Sequence, residues 1–193
     1  LTFDDVGGTY HPCPLASKLR SGQQCRYCQS DDALLPCLNC DGSVCLAAES
    51  VRAKCREMDM VVYLTGFASQ IKAGVSQQFR LERRWVEQGA DFAVALFRLP
   101  DGKEARRVES LLHRMGLLNF LTGRQKIPLL IFDAATAFER FQGIARKMLS
   151  DPLFSHLSPH SPAPEFHDYS RRYVKIDAIP ESTEVLTPQP GQE

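Results

Sequence analysis

The alternation of apolar and polar residues predicts a small sheet in the middle of the chain. Two apolar runs, 59–65 and 71–76, flank a turn that contains Gly66, which is the pattern of a β-hairpin. A third run, 92–99, ends at the turn Pro100-Asp101-Gly102 and is predicted as a further strand. These three runs place a hairpin and a third strand next to one another in the chain.

Helical periodicity predicts the elements that surround this sheet. The segment 81–88 is predicted as a short helix that Gly89 ends, and 134–149 as a longer helix. The segment 127–132 is predicted as a buried strand. Between the strands and this last part, 103–115 is predicted as an amphipathic helix, because its apolar residues recur at intervals of three and four. These residues are Val108, Leu111, Leu112 and Met115.

Composition and charge limit the size of the fold and the choice of partner. With 193 residues, of which 44% are hydrophobic, the chain can bury one core and carry a small appended module. It has 23 basic and 23 acidic residues, yet residues 71–126 contain 11 basic and 6 acidic ones. A basic centre suits a phosphate partner, and a solvated helix face has the same composition.

The sequence also limits where the protein is located and how the chain is divided. No apolar run is long enough to span a membrane and no signal peptide is evident, so we expect an intracellular protein without a membrane partner, cytoplasmic or associated with the nucleoid or nucleus. The chain opens on Leu1, so its completeness at either end stays open. We predict three parts: 1–57 with the cysteines, a domain over 58–150, and an extended tail over 151–193 that is rich in Pro and Ser.

All seven cysteines lie in the first part of the chain, and four of them form two Cys-x-x-Cys pairs. Two such pairs, separated by a short loop, can place four thiolates at the corners of a tetrahedron, the geometry that zinc prefers. The alternative is a disulfide framework, which needs an oxidising compartment that nothing else in the chain supports. The predicted ligands of a structural zinc ion are Cys25, Cys28, Cys37 and Cys40. A second zinc site could use Cys13, Cys45 and Cys55 with His11, or these could be buried thiols.

A recognisable order of motifs runs through the predicted sheet. Val61-Val62-Tyr63 is followed by Lys72-Ala73-Gly74, and then by the sequences RRWVEQGA and, on the next helix, Glu109. This order resembles the GIY-YIG endonuclease superfamily. Within it, residues 25–115 are similar to an uncharacterised prokaryotic family in which a cysteine-rich zinc segment leads into the core. The predicted fold is therefore α+β: an N-terminal zinc ribbon, then a small mixed sheet flanked by helices.

The resemblance implies a catalytic role for four residues. Glu109 matches the glutamate that holds one divalent cation, Mg²⁺ or Mn²⁺, and Tyr63 matches the proposed general base. Arg84, or its neighbour Arg83, matches the arginine that stabilises charge on the phosphorus. Lys72 stands where the superfamily has a second tyrosine, and a lysine cannot reproduce the hydrogen-bond geometry of a phenol.

Each of these residues also has a structural interpretation. Tyr63 could close the core with its ring, and Glu109 could be a partner on the surface of its helix. Arg83 and Arg84 could be solvated, and Trp85 is more often a core residue than a platform for bases.

Two functions follow from these alternatives. The first is a metal-dependent nuclease of DNA or RNA that uses Tyr63, Lys72, Arg84 and Glu109. The second is an inactive module that binds nucleic acid or assembles with other proteins of a larger complex. The predicted nucleic-acid contacts are Lys72, Arg80, Arg83 and Arg84.

Overall fold

The cysteine-rich part folds into short elements. The structure of the protein, a computed structural model, describes residues 2–3, 10–19, 24–38 and 40–170. Near the start of the chain, two short strands pair with each other in antiparallel orientation. The elements of this part are β1 (Thr2–Phe3), β2 (Tyr10–His11), α1 (Arg26–Asp31), α2 (Leu35–Leu38) and α3 (Glu49–Arg56).

Four antiparallel strands form the sheet at the centre of the described structure. Their order in the sheet is β4-β3-β5-β6, and the predicted hairpin is β3 with β4. Among the described residues, parallel pairing is confined to one bridge, between Lys72 and Leu118 at the β4 edge, so the sheet is antiparallel where a mixed one was predicted. The α+β class is confirmed. The strands are β3 (Met60–Phe67), β4 (Gln70–Gln77), β5 (Phe92–Leu99) and β6 (Phe166–Asp168).

Of the helices that follow β4, three lie close to their predicted positions, and the short helix over Gly123–Lys126 was not predicted. Asp101 and Asp133 begin the two long helices, where each carboxylate accepts hydrogen bonds from backbone N–H groups of the first turn. Such caps satisfy donors that have no partner within the helix. The helices are α4 (Leu81–Glu87), α5 (Gly102–Arg114), α6 (Gly123–Lys126) and α7 (Ala134–Ser150). Within the described part of the chain, no helix is long and apolar enough to cross a membrane.

β3 is an inner strand of the sheet, and packed side chains cover both of its faces. On one face Val62 and Leu64 belong to a large core that α5 and α7 complete. On the other face Val61 and Tyr63 pack with Trp85 of α4 in a smaller core. Every residue of β3 is consequently buried, and the candidate catalytic tyrosine lies in the smaller core.

The predicted strand over 127–132 is wrong. Thr122 begins α6 with a capping box, and a 3₁₀ turn over Ile127–Leu129 continues from it, with Pro128 near its start. Leu130 and Ile131, expected to be buried, are 48% and 49% exposed. The apolar composition alone did not distinguish a strand from a short turn.

The described part of the predicted tail belongs to the domain. Phe154 is buried against Phe97, and β6 extends the sheet beside β5. Tyr169 is buried in the smaller core. Residues 171–193 lie outside the described part of the chain.

Candidate functional site

Tyr63 lies in the middle of β3 with 1% of its surface exposed. Its hydroxyl accepts a hydrogen bond of 2.7 Å from Nε2 of Gln88. Opposite Tyr63 on β4, a methyl group on Gly74 would lie 2.6 Å from this hydroxyl, so glycine leaves room for the phenol. Burial raises the pKa of Tyr63, against smaller lowering effects of the Gln88 hydrogen bond and the Arg84 charge. The phenol is therefore neutral near pH 7, and its burial supports the core role.

Lys72 is joined to Tyr63 through one amide. Its Nζ donates a hydrogen bond of 3.1 Å to Oε1 of Gln88, whose Nε2 bonds Tyr63. Burial lowers the pKa of Lys72, the Arg84 charge lowers it further, and the Glu109 charge raises it. We name Tyr63, Lys72 and Gln88 the polar cluster. Its members come from β3, β4 and the end of α4, so three elements fix its geometry.

Lys126 reaches the polar cluster from a distant part of the chain. Its Nζ donates a hydrogen bond to the backbone carbonyl of Gln88 and lies 4.1 Å from the centre of the Phe67 ring. Burial lowers the pKa of Lys126, and the Asp91 charge opposes this. Sequence reasoning missed both Gln88 and Lys126. Gln88 belongs to the RRWVEQGA motif, which was a signal for it, whereas Lys126 lies 38 residues further on.

Glu109 and Arg84 flank the polar cluster. Glu109, on α5, has a side chain that is 14% exposed and forms an ion pair of 3.3 Å with Arg106, the surface-partner arrangement that its spacing allowed. Arg84, on α4, is exposed. The Arg84 charge lowers the pKa of both Tyr63 and Lys72, and the Glu109 charge raises the pKa of both. The structure thus brings the four predicted catalytic residues into one neighbourhood.

This neighbourhood does not by itself fit Mg²⁺ or Mn²⁺. Glu109 offers one carboxylate, which Arg106 already neutralises, and the cations Lys72 and Arg84 act on the same space. A hard divalent cation needs several oxygen ligands, and among these residues Glu109 supplies the one carboxylate. A cation here would therefore depend on ligands from a bound phosphate.

A basic cavity of about 400 Å³ opens beside α3, α4 and α5. Its lining contains no acidic side chain, although Arg52, Arg84 and Arg106 each form an ion pair with a glutamate outside the lining. The basic residues of the lining are Arg52, Arg80, Arg84, Lys103 and Arg106. Tyr63, Lys72 and Glu109 are not part of this lining, so Arg84 is the residue that links the cavity to the catalytic prediction.

The exposed surface beside the cavity carries an aromatic residue that sequence reasoning missed. Phe79 is 80% exposed and directly precedes Arg80. Trp85, by contrast, is buried against Tyr63, with ring centres 6.2 Å apart, which confirms it as a core residue. Arg83 is exposed and forms an ion pair of 2.7 Å with Glu87.

Three cysteines form a cluster that could hold a metal ion. The sulfur atoms of this first cysteine cluster (Cys13, Cys25 and Cys28) all lie within 4.8 Å of one another, and Cys13 and Cys25 are 3.7 Å apart. Two thiolates bound tetrahedrally at about 2.3 Å from a zinc ion are about 3.8 Å apart, so the spacing fits such an ion. Backbone N–H groups, chiefly that of Ser17, lower the pKa of Cys13 to about 6. The side chain of His11, a predicted fourth ligand, lies outside the described part.

The structure groups the cysteines differently from the prediction. Cys25 and Cys28 were expected to share an ion with Cys37 and Cys40, but within the described residues their partner is Cys13. Cys13 was expected at the second site. Spacing identifies each Cys-x-x-Cys pair as local neighbours, and it does not determine which distant cysteine completes the set. The other four cysteines line the basic cavity together: Cys37, Cys40, Cys45 and Cys55.

The fold and these sites define an α+β protein with a helix-flanked antiparallel sheet and a cysteine cluster that could hold a metal ion. The family model described as "Protein of unknown function (DUF2797)" matches residues 17–119, slightly more than half of the 193 residues. The chain belongs to this family. Comparison with curated proteins and with solved structures found no significant match to either.

Proposed function

We propose that this protein binds nucleic acid through a GIY-YIG-like core. The carrying observation is the basic cavity, whose lining has five basic side chains and no acidic one. Phosphate groups are the anions that such a surface would hold, because arginine donates paired N–H groups to phosphate oxygens. The order of β3, β4, α4, β5 and α5, with Tyr63, Lys72, Arg84 and Glu109 on four of them, supports the GIY-YIG-like assignment.

The surface next to the cavity adds a contact for bases. The Phe79 ring is exposed beside Arg80, and Arg83 follows on the next turn. Aromatic rings beside a basic groove stack on unpaired bases and contribute about 1–3 kcal/mol each. The preferred partner is therefore a DNA or RNA that has a single-stranded portion.

Hydrolysis is the second candidate function. The convergence of Tyr63, Lys72, Arg84 and Glu109 favours a metal-dependent phosphodiesterase. The neutral, enclosed phenol and the ion pair between Arg106 and Glu109 favour a binding module without activity. For this reason binding is the primary proposal, and a role within a larger intracellular complex remains compatible with it.

The first cysteine cluster has a structural role in this proposal. Three thiolates favour zinc over the hard cations, and the cluster lies outside the basic cavity. Zinc held by Cys13, Cys25 and Cys28 would stabilise a segment that has few buried apolar residues.

Binding and cleavage can be measured in one experiment. Labelled single- and double-stranded DNA and RNA are incubated with the protein, with Mg²⁺ or Mn²⁺ and without either. Arg80→Ala, Arg84→Ala and Phe79→Ala should each weaken binding about 5- to 100-fold, and the two arginine variants should also reduce its salt dependence. Lys147→Ala is the matched control, because Lys147 is exposed on α7, which contributes no residue to the lining of the cavity.

The outcomes separate the two candidates. Cleavage that requires a divalent cation and is lost in Glu109→Gln would establish hydrolysis. Salt-sensitive binding without cleavage would leave the binding module, and binding that all three variants leave unchanged would refute the proposed surface.

A further inference from the structure

The second group of cysteines has a feature that the proposed function does not use. Cys37 lies in α2 and Cys55 in α3, and the loop between these helices carries the other two, Cys40 and Cys45. All four nevertheless line a single cavity. Four cysteines from separate elements rarely converge for packing alone, since one buried thiol is an ordinary small apolar group. Their convergence is the observation to be explained.

We propose that Cys37, Cys40, Cys45 and Cys55 together bind a second thiophilic divalent metal ion, of the class of zinc, inside the basic cavity. Four cysteines satisfy the tetrahedral coordination of a structural zinc ion without a further ligand. This site would be separate from the first cysteine cluster, so the chain would hold two ions.

The local geometry supports this ligand set. The backbone N–H of Gly42 donates to the sulfur of Cys40 at 3.4 Å, a bond that stabilises a thiolate. A methyl group on Gly102 would lie 2.7 Å from the sulfur of Cys55, so glycine lets the start of α5 approach this ligand.

The charge of the cavity complements the proposed ion. Binding replaces the four thiol protons, which are released to solvent, and leaves a centre of one Zn²⁺ and four thiolates with a net charge of about −2. This centre would offset part of the positive charge of the lining, so metal and phosphate would compete for the same basic side chains. Among the described residues, the buried Nε of Arg52 has no hydrogen-bond partner, and a metal-bound thiolate is an acceptor in the same cavity.

The proposal requires the cavity to contract. Within the described residues, no three sulfurs of this group meet the 4.8 Å spacing of the first cysteine cluster. Cys45 lies in the stretch 41–46, which has no helix or strand, and the proposal requires its sulfur to move towards Cys37 and Cys40. The ion would therefore fix this loop between α3 and α5.

Metal stoichiometry tests the inference directly. The full chain is purified under reducing conditions without a chelator, and metal is quantified by mass spectrometry. We expect two zinc ions per chain in the original sequence, and one ion in Cys45→Ser and in Cys55→Ser. Cys25→Ser should also retain one ion, the one in the second site. Gln77→Ala is the control, because Gln77 lines the cavity with a side chain that is a poor zinc ligand, and it should retain two.

A second measurement keeps the test valid if a variant fails to fold. The metal-free, reduced chain is titrated with Co²⁺, and the absorbance of tetrahedral thiolate coordination is followed. Saturation at two equivalents, with thiolate-to-cobalt absorbance that corresponds to seven thiolates in total, supports the proposal. Saturation at one equivalent, or a metal content that Cys45→Ser and Cys55→Ser leave unchanged, overturns it, whether or not nucleic acid binds.

Discussion

The sheet domain and the cysteine-rich segment are stabilised in different ways. The sheet domain buries large apolar side chains on both faces of its sheet, including Leu64 and Phe141 on one face and Trp85 on the other. Of the segment over 12–57, the described apolar residues that are fully buried are Cys28, Ala47 and Val51. Apolar burial contributes about 25 cal/mol for each Å², so the sheet can stabilise itself while the segment cannot. This comparison fits the proposal that a metal ion held by the cysteines stabilises the segment.

Removal of metal should give the largest effect and should act on one region alone. A structural zinc site contributes about 10 kcal/mol or more, so a chelator should unfold the segment that contains α1, α2 and α3. Hydrogen exchange followed by mass spectrometry should show loss of protection there, with protection retained in β3 and β5. Loss of protection throughout the chain would show that the two regions depend on one ion and would break the comparison.

Truncation of a core phenylalanine should destabilise the sheet domain and leave the metal content of the cysteine-rich segment unchanged. Phe141 is fully buried and packs against Phe92 and Phe166. Phe141→Ala should therefore lower the free energy of unfolding by about 3–5 kcal/mol, as measured by urea denaturation. The metal content of the folded variant should not change, and a loss of metal would contradict the independence of the two regions.

The contact between the two regions depends on Gly42. This residue has a positive φ of 79°, and a methyl group there would lie 2.6 Å from the backbone carbonyl oxygen of Lys103 in α5. Gly42→Ala should cost about 1–3 kcal/mol, since it combines left-handed strain with a clash against backbone. Thermal unfolding should show the loss, and hydrogen exchange should rise at the start of α5.

Gly143→Ala is the matched control for this change. Gly143 is exposed in the interior of α7, and nothing lies within 4 Å of a methyl group there. Alanine should stabilise the helix by about 0.5–1 kcal/mol. If both variants shifted stability in the same direction, the role of Gly42 in the contact would be wrong.

Elements that follow a local pattern could be predicted from the sequence, and those that depend on tertiary contact could not. The hairpin, β5, α5 and α7 follow local periodicities of two and about 3.6 residues, and these predictions are confirmed to within a few residues. The strand β6 was missed because three residues in a Pro- and Ser-rich segment pair with β5 only through tertiary contact.

The candidate site was predicted unevenly for a related reason. A shared motif order identified Tyr63, Lys72, Arg84 and Glu109, while the link through Gln88 and Lys126 depends on side chains that meet only in the folded chain. Cys13 was assigned to the other cysteine set, because sequence spacing does not encode which loops meet.

Loss of the phenol hydroxyl should have a moderate effect inside the polar cluster. Tyr63→Phe removes the acceptor for Nε2 of Gln88 and leaves that donor in a partly buried place, at a cost of about 1–2 kcal/mol. Urea denaturation measures this loss. Tyr63→Phe should retain nucleic-acid binding, because Tyr63 is not part of the basic cavity, and a binding loss greater than that of Arg84→Ala would move the binding surface to the polar cluster.

The smallest effect concerns a surface ion pair of the sheet. Arg98 on β5 donates two hydrogen bonds, of 2.8 Å and 2.7 Å, to the carboxylate of Asp59 before β3, and they hold the pKa of Asp59 below its usual value. Because the folded-state pKa is lowered, the pair stabilises the fold above pH of about 4, and this stabilisation is lost as the pH falls through the folded-state pKa. Both side chains are about half exposed, so Asp59→Asn should cost less than about 1 kcal/mol at pH 7. Urea denaturation at pH 7 and at pH 3 should show a difference between variant and original that shrinks at the lower pH, whereas a constant difference would assign the effect to packing.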